Sequence, residues 1–181
     1  SEDCSEFSAS ADSAGRGFST IMTIELLGEE SEMQLDHITS SWAHVYASQN
    51  MMILAEPAND WWWFWRNFGW DDATNIHVFD ISDPSETTYV ASGRVEGTVQ
   101  DQFSISEYNG IIRVATTEDA WGRWWLEGTE EWTGPTNNVF TLAVAECMIP
   151  EGCDDESSEM VQIGHVGNIA PDERIWSARF V

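Results

Sequence analysis

Two tryptophan-rich stretches indicate how the chain is organised: PANDWWWFWRNFGWDDA at residues 57–73 and EDAWGRWWLEGTEEWTGP at residues 118–135. The first contains five of the eleven tryptophans and the second contains four, and each carries one arginine. Both inserts fall at the same point of a repeated pattern, between its second and third β-type runs. The sequence therefore predicts successive copies of one structural unit.

Short β-type runs separated by turn residues fill the chain around the inserts. Turn signals such as Gln49-Asn50, and the stretch 107–110 that ends in Asn109-Gly110, mark hairpins between neighbouring runs. The predicted strands are residues 19–27, 33–40, 43–48, 51–56, 74–82, 87–97, 102–106, 111–117, 136–146, 160–169 and 174–181. No helical periodicity separates these runs, so an all-β fold is predicted.

The predicted fourth strands share a register from one unit to the next. The pairs His37-Ile38, Arg94-Val95 and His165-Val166 recur at one place in three successive units. Units of four antiparallel strands, each spanning about 60 to 70 residues, are typical of β-propeller blades. The shared position of a His or Arg predicts a polar, outward-facing site on each blade rather than a set of metal ligands.

The predicted fold class is all-β, with about two and a half blades of a partial propeller. We expect residues 1–16 to be a flexible segment. The predicted blade remnants are 17–40, 41–97 and 98–169, and residues 170–181 are predicted to start a further blade. Propellers close with about 4 to 8 blades, so we expect the chain to belong to a larger, processed protein or to be completed by a second chain.

Five segments also resemble a known family of bacterial and archaeal secreted proteins with a C-terminal β-propeller domain. They are TNIHVFDIS (74–82), YVASGRVEG (89–97), QFSISEYNGIIRVATT (102–117), NNVFTL (137–142) and PDERIWSARF (171–180). The resemblance spans roughly residues 41–181. It implies an exported propeller, located in the secreted, periplasmic or cell-surface fraction, and it supplies no catalytic residues.

The charge of the chain restricts its partners. Thirty-two Asp and Glu face seven Arg, with no Lys, and the formal charge is −25. Such a surface repels nucleic acid and anionic membranes, so no nucleic-acid partner is expected. No run approaches the roughly 18 apolar residues of a membrane span.

The inserts are the predicted contact surface for a protein or carbohydrate partner. Tryptophan offers a large apolar area with an N–H donor, and a nearby arginine can stack on its ring. The candidate ligand-binding residues are Trp61, Trp62, Trp63, Trp65, Arg66, Trp70, Trp121, Arg123, Trp124, Trp125 and Trp132. The alternative is that these rings bury one another as a cap on the blades, because nine exposed tryptophans favour aggregation.

The segment from Cys147 to Glu159 offers two further candidates. Cys147 and Cys153 bracket a short loop that a disulfide would close, and free thiols are the alternative. Asp154, Asp155 and Glu156 are candidate Ca²⁺ ligands, although they lack the alternation of an EF-hand loop, and a solvated loop is the alternative. No cofactor other than Ca²⁺ is suggested.

The sequence favours a binding or scaffold module over an enzyme. It contains no G-x-S-x-G elbow and no Gly-rich phosphate loop. One alternative is a hydrolase or metalloenzyme whose site lies in the propeller channel and is completed by strands outside this chain. Another is a structural subunit that pairs through open blade edges.

Overall fold

The computed structural model describes residues 7–8, 17–26, 33–40, 42–58, 72–118, 134–144 and 158–181. Strands dominate these ranges, which confirms the all-β prediction. Their bounds are β1 Phe7–Ser8, β2 Gly17–Ile24, β3 Met33–Ser40, β4 His44–Ala47, β5 Met51–Pro57, β6 Ala73–Asp80, β7 Thr88–Glu96, β8 Thr98–Val99, β9 Ile105–Tyr108, β10 Ile111–Glu118, β11 Thr136–Val144 and β12 Ser158–Ile169. Among the described residues, no helix has the length and apolar character needed to cross a membrane.

Two four-stranded antiparallel units form the centre of the fold. In the first unit β4, β5, β6 and β7 pair in chain order, and in the second β9, β10, β11 and β12 do the same. Asn109 and Gly110 both have positive φ in the β9–β10 turn, as the Asn-Gly signal predicts. The two units therefore have the blade pattern predicted from the sequence.

A contact between the last strands of the two units was not predicted. β12 pairs in parallel with β7 through Ser158↔Ala91 and Glu159↔Ser92, which joins both units into one nine-stranded sheet. Gly93 allows this approach, because a Cβ there would lie 2.8 Å from the Cβ of Met160. Beyond these residues no further β7–β12 pairs are formed.

A third layer, the β2–β3 hairpin, covers the outer face of the first unit. β1 pairs with β3 in parallel, and β2 pairs with β3 in an antiparallel register. Ile38 packs with Leu54 and Phe79 on this side. On the other side a larger cluster that includes Ile76, Val78, Val114 and Leu142 joins the two units.

β6 lies between these two clusters, and its burial follows from that position. Residues 73–79 are all buried, whereas β2, at the outside of the fold, alternates between partly buried and exposed positions. A strand that is covered on both faces carries a nearly continuous apolar run instead of an alternating one. The polar residues on β6 are therefore enclosed between layers.

The outermost faces of the stacked layers carry exposed apolar side chains. Phe18 is 65% exposed and Met22 55% exposed on β2, and Ile163 is 52% exposed and Val166 62% exposed on β12. These are the two ends of a stack of blades, where the next blade of a propeller would pack. The exposed faces thus fit the partial propeller predicted from the sequence.

Two strand predictions differ from the structure. The strand predicted at 102–106 begins only at Ile105, because the Asp101 carboxylate accepts hydrogen bonds from the N–H groups of Phe103 and Ser104 and holds Gln102–Ser104 as a 3-10 turn. The strand predicted at 174–181 is wrong, since these residues pair with no strand of the described part of the chain. Alternating apolar residues indicate a strand only where a neighbouring strand is present to pair with them.

The C-terminal segment instead lies against the second unit through side chains. The N–H of Ile175 donates to Thr117 Oγ1 at 3.1 Å and to Asn137 Oδ1 at 3.2 Å, and the Arg113 guanidinium lies 5.1 Å from the centre of the Phe180 ring. The domain boundaries stay predictions. Of the segment 1–16, the structure describes Phe7–Ser8 alone, and these residues form β1.

Candidate functional site

The two tryptophan inserts connect equivalent strands of the two units. Residues 57–73 run from the end of β5 to the start of β6, and residues 118–135 run from the end of β10 to the start of β11. This is the connection between the second and third strands of each unit, as the sequence predicts. The predicted cysteine and acidic segment likewise connects β11 to β12.

The attachment points of the two inserts lie side by side. The N–H of Gly97 donates to the carbonyl of Asp72, and Thr74 Oγ1 donates to the carbonyl of Gly97, so Gly97 is bound to the end of the first insert. Thr116 Oγ1 donates to the carbonyl of Glu96, and Thr98 pairs with Thr117 immediately before the second insert. Both inserts therefore leave the fold from one region.

The predicted site residues themselves lie outside the described residues. These are Trp61, Trp62, Trp63, Trp65, Arg66, Trp70, Trp121, Arg123, Trp124, Trp125 and Trp132, together with the candidate disulfide Cys147–Cys153 and the candidate Ca²⁺ ligands Asp154, Asp155 and Glu156. Each of these remains a prediction. Within the ranges that the structure does describe, no group of three or more His, Cys, Asp or Glu side chains is placed to hold a metal ion.

Gly97 at the junction of the inserts has a backbone that favours glycine. Its φ is +82°, and a Cβ would lie 2.8 Å from Thr116 Oγ1 and 2.9 Å from the Thr117 carbonyl carbon. We expect Gly97→Ala to lower the free energy of unfolding by about 2–4 kcal/mol, since strain at positive φ and a backbone clash add together. Chemical denaturation measures the change.

Gly110→Ala is the matched control for that substitution. Gly110 also has positive φ, at +76°, but its turn lies at the opposite end of β10 from the insert. Backbone strain alone is expected to lower the free energy of unfolding of the Gly110→Ala variant by about 1–2 kcal/mol. Equal losses for the two variants would contradict a close contact between Gly97 and β10.

A cleft opens where β7 and β12 separate, beside these attachment points. Its volume is about 390 Å³. It is lined by Ala73, Arg94, Val95, Glu96, Phe140, Gln162 and His165. Ala73 is the last residue of the first insert and the first residue of β6, so the cleft lies at the base of that insert.

A series of side-chain hydrogen bonds connects the start of the second insert to the same cleft. Glu118, the last residue of β10, accepts a hydrogen bond at Oε1 from Asn138 Nδ2. Asn138 Oδ1 lies 2.9 Å from His165 Nε2. Because the carboxylate fixes the amide orientation, the amide oxygen faces His165, so Nε2 carries the proton and Nδ1 of the neutral ring is an acceptor.

The ring of His165 is also fixed by stacking. It lies 4.4 Å from the centre of the Phe140 ring with an interplanar angle of 4°. Gly167 leaves room for the hydrogen bond to Asn138, since a Cβ there would lie 2.7 Å from Asn138 Oδ1 and 3.0 Å from His165 Nε2. The imidazole is therefore held in one orientation at the cleft.

The position that His37, Arg94 and His165 share in the fourth strands brings two of these residues to one cleft, which the sequence did not predict. Arg94 and His165 are both exposed, as predicted, yet they line one cleft from opposite strands. His37, at the same position on β3, instead lies 3.0 Å from the hydroxyl of Thr20 through its Nδ1. The parallel β7–β12 contact that brings Arg94 and His165 together is non-local, so strand periodicity carries no signal of it.

A second polar group lies buried between β5, β6 and β7. His77 Nε2 is 3.4 Å from Glu56 Oε1, and the two side chains are only 1% and 4% exposed. His77 Nδ1 is 3.0 Å from the hydroxyl of Tyr89. Burial raises the pKa of the Tyr89 hydroxyl, against a smaller lowering by a hydrogen bond with Ser92. This group faces the β2–β3 hairpin and is enclosed, so it serves stability rather than binding.

Two archaeal proteins are similar in sequence to this chain. An uncharacterized protein of Methanocaldococcus jannaschii is 26% identical over 117 residues, which cover 65% of this chain and 14% of that protein. An uncharacterized protein of Archaeoglobus fulgidus is 31% identical over 125 residues, which cover 67% of this chain and 15% of that protein. The chain thus spans about one seventh of the length of these relatives, and no solved structure matches it.

The family assignment rests on a match over the whole chain. The sequence profile described as "Beta propeller domain" matches residues 1–181. This agrees with the two four-stranded units and the third layer packed against them. The chain therefore belongs to the beta propeller domain family.

Proposed function

We propose that this chain is an exported binding or scaffold module, and that its two tryptophan-rich inserts contact a protein or glycan partner. The observation that carries the proposal is the junction at Gly97, where hydrogen bonds and strand pairing bring the attachment points of both inserts together. Two aromatic inserts that leave a rigid sheet side by side supply one broad contact surface, whereas remote inserts would supply two small ones.

The composition of the inserts supports contact with a partner. Tryptophan and arginine are the residues most enriched at energetically important contact positions, and both inserts combine them. The strands that carry the inserts are buried and paired along their length, so the bases of the inserts are held rigidly. Rigid attachment lowers the entropy that is lost on binding.

Export is supported by composition and by the resemblance of the five sequence segments to secreted propeller proteins. A lysine-free surface with a charge of −25 keeps such a module soluble. We propose a secreted, periplasmic or cell-surface location. Fractionation of the source cells, with the chain followed by an antibody, tests the location, and recovery in the cytoplasmic fraction alone would contradict it.

Replacing Trp61, Trp62 and Trp63 together by alanine tests the contact surface without a known partner. If these rings face solvent, we expect acrylamide to quench the wild-type tryptophan fluorescence efficiently and the triple variant to keep its β circular dichroism and melting temperature. Shielded fluorescence in the wild type together with unfolding of the triple variant would instead show that the rings bury one another as a cap. Trp176→Ala, at a ring that is 74% exposed outside the inserts, is the control.

A further inference from the structure

The cleft between β7 and β12 is large enough to hold a small ligand. Its volume of about 390 Å³ lies near the lower end of the range of roughly 300–1,000 Å³ that is usual for ligand pockets. It lies at the base of the first insert through Ala73 and is connected to the second through His165, Asn138 and Glu118. A ligand in the cleft would therefore also lie near residues to which both inserts attach.

The polar side chains that line the cleft include both hydrogen-bond donors and hydrogen-bond acceptors. Arg94 carries only donors, Glu96 carries only acceptors when ionised, and Gln162 carries both. His165 adds the acceptor Nδ1, because its Nε2 is committed to Asn138. A hydroxyl group donates and accepts, so a ligand with several hydroxyls can pair with all of these groups.

The charge balance of the cleft disfavours an ionic ligand. Arg94 and Glu96 carry opposite charges, so the lining residues in the described part of the chain have no net charge when His165 is neutral. An anionic ligand would also meet the field of a chain with a charge of −25. A cationic ligand would lie beside the Arg94 guanidinium. A neutral ligand avoids both costs.

His165 also supplies a flat surface. One side of its ring stacks on Phe140, and the residue is exposed and lines the cleft. Phe140 and Val95 are buried and provide the apolar part of the lining. The C–H face of a pyranose ring can pack on such a surface while its hydroxyls reach the polar groups at the sides.

We propose that this cleft binds one neutral sugar unit of a glycan. Its hydroxyls pair with Arg94, Glu96 and Gln162, and its ring packs on His165. The inference rests on the proposed function in one respect, since it takes the insert-bearing end as the surface that meets the partner. It goes further in naming a neutral carbohydrate as the ligand and the cleft as its site.

Isothermal titration calorimetry with cellohexaose, maltohexaose and mannohexaose tests the proposal. We expect the wild-type chain to bind at least one of these neutral hexasaccharides, and His165→Ala and Gln162→Ala each to weaken that binding by tenfold or more. Gln100→Ala, at an exposed glutamine outside the cleft, is the matched control and should bind as the wild type does. Circular dichroism melts verify that each variant is folded.

The outcomes separate this proposal from the proposed function. Loss of binding in the Trp61, Trp62 and Trp63 variant but not in the two cleft variants would overturn the cleft and support the inserts. Loss in the cleft variants alone would support the cleft and count against the inserts. The neutral-sugar assignment would be overturned if none of the three hexasaccharides bound. It would also be overturned if the chain bound only peptides or carboxylate-bearing oligosaccharides.

Discussion

Replacing His77 by leucine is expected to lower the free energy of unfolding by about 3–5 kcal/mol, because each polar group that loses its hydrogen-bond partner inside the protein costs about 1–3 kcal/mol and two such groups are left. His77 and Glu56 are 3.4 Å apart and almost fully buried, and the second ring nitrogen of His77 meets the Tyr89 hydroxyl. Leucine fills the space but leaves a carboxyl group and a hydroxyl buried without this partner. Urea denaturation followed by circular dichroism measures the loss.

Two further variants identify the source of that loss. Tyr89→Phe removes only one hydroxyl, so we expect a cost of about 0.5–1.5 kcal/mol. The double variant with Glu56→Leu and His77→Leu removes both members of the pair and should recover much of the stability that His77→Leu loses. A loss for His77→Leu no larger than that for Tyr89→Phe would show that the Glu56–His77 contact does not stabilise the fold.

Phe79→Ala is expected to have an effect of similar size but in a different place. Phe79 is 2% exposed and packs with Ile38 of the hairpin, and its ring meets Tyr89 edge-on at 5.1 Å. Truncating a buried phenylalanine usually costs about 3–5 kcal/mol. Because these contacts attach the β2–β3 hairpin to the first unit, we expect hydrogen exchange to accelerate most at the amides of β2 and β3.

The β2–β3 hairpin is also held to the first unit by other contacts, so we expect Phe79→Ala to loosen the hairpin without detaching it. Gln34 Nε2 donates to the carbonyl of Thr87 at 2.9 Å, and the N–H of Thr87 donates to Gln34 Oε1 at 3.0 Å. Phe103→Ala, at a ring that is 60% exposed, is the control and should change stability by less than about 0.5 kcal/mol. Uniform acceleration of exchange across all strands in Phe79→Ala would argue against a separately attached hairpin.

The strand order of the fold was accessible from the sequence because it depends on local patterns. The runs around residues 51–56 and 74–82 predict β5 and β6, and the bounds predicted for β3, 33–40, are those observed. The repeated position of the inserts fixed which strands belong to one blade. Each of these signals comes from residues close together in the chain, where turn chemistry and alternation act directly.

The candidate cleft was not accessible in the same way. It forms where β7 and β12 separate, and these strands are brought together by a parallel contact between residues far apart in the chain. Asn138 and His165 each occur within an ordinary β-type run, so nothing in the spacing of the sequence shows that they meet Glu118 in one chain of hydrogen bonds. Convergence of side chains from several strands is a property of the folded sheet.

The buried group at His77 escaped prediction for a related reason. The segment 74–82, TNIHVFDIS, mixes polar and apolar residues, and histidine is intermediate in how often it is buried, so the sequence does not indicate which face His77 takes. It is enclosed because the β2–β3 hairpin covers that face of β6. The strand predicted at 174–181 shows the converse, because its residues are of the β type but no described strand lies beside it.

Both tryptophan inserts leave the fold from one place, and a distance measurement between their bases tests this arrangement most directly. Spin labels would be attached at Glu96→Cys, which lies opposite Ala73 at the end of the first insert, and at Glu118→Cys, at the start of the second, with the native cysteines replaced by serine. Labels at Ser85 and Glu118 serve as the remote pair, since Ser85 follows β6 at its opposite end.

Continuous-wave EPR is expected to show strong dipolar broadening for the Glu96–Glu118 pair, because Thr98 and Thr117 on the same two segments are directly paired and neighbouring strands lie about 5 Å apart. The Ser85–Glu118 pair should show none. Absence of broadening between Glu96 and Glu118 in a folded protein would mean that the inserts are held apart, and the proposed shared contact surface would be wrong.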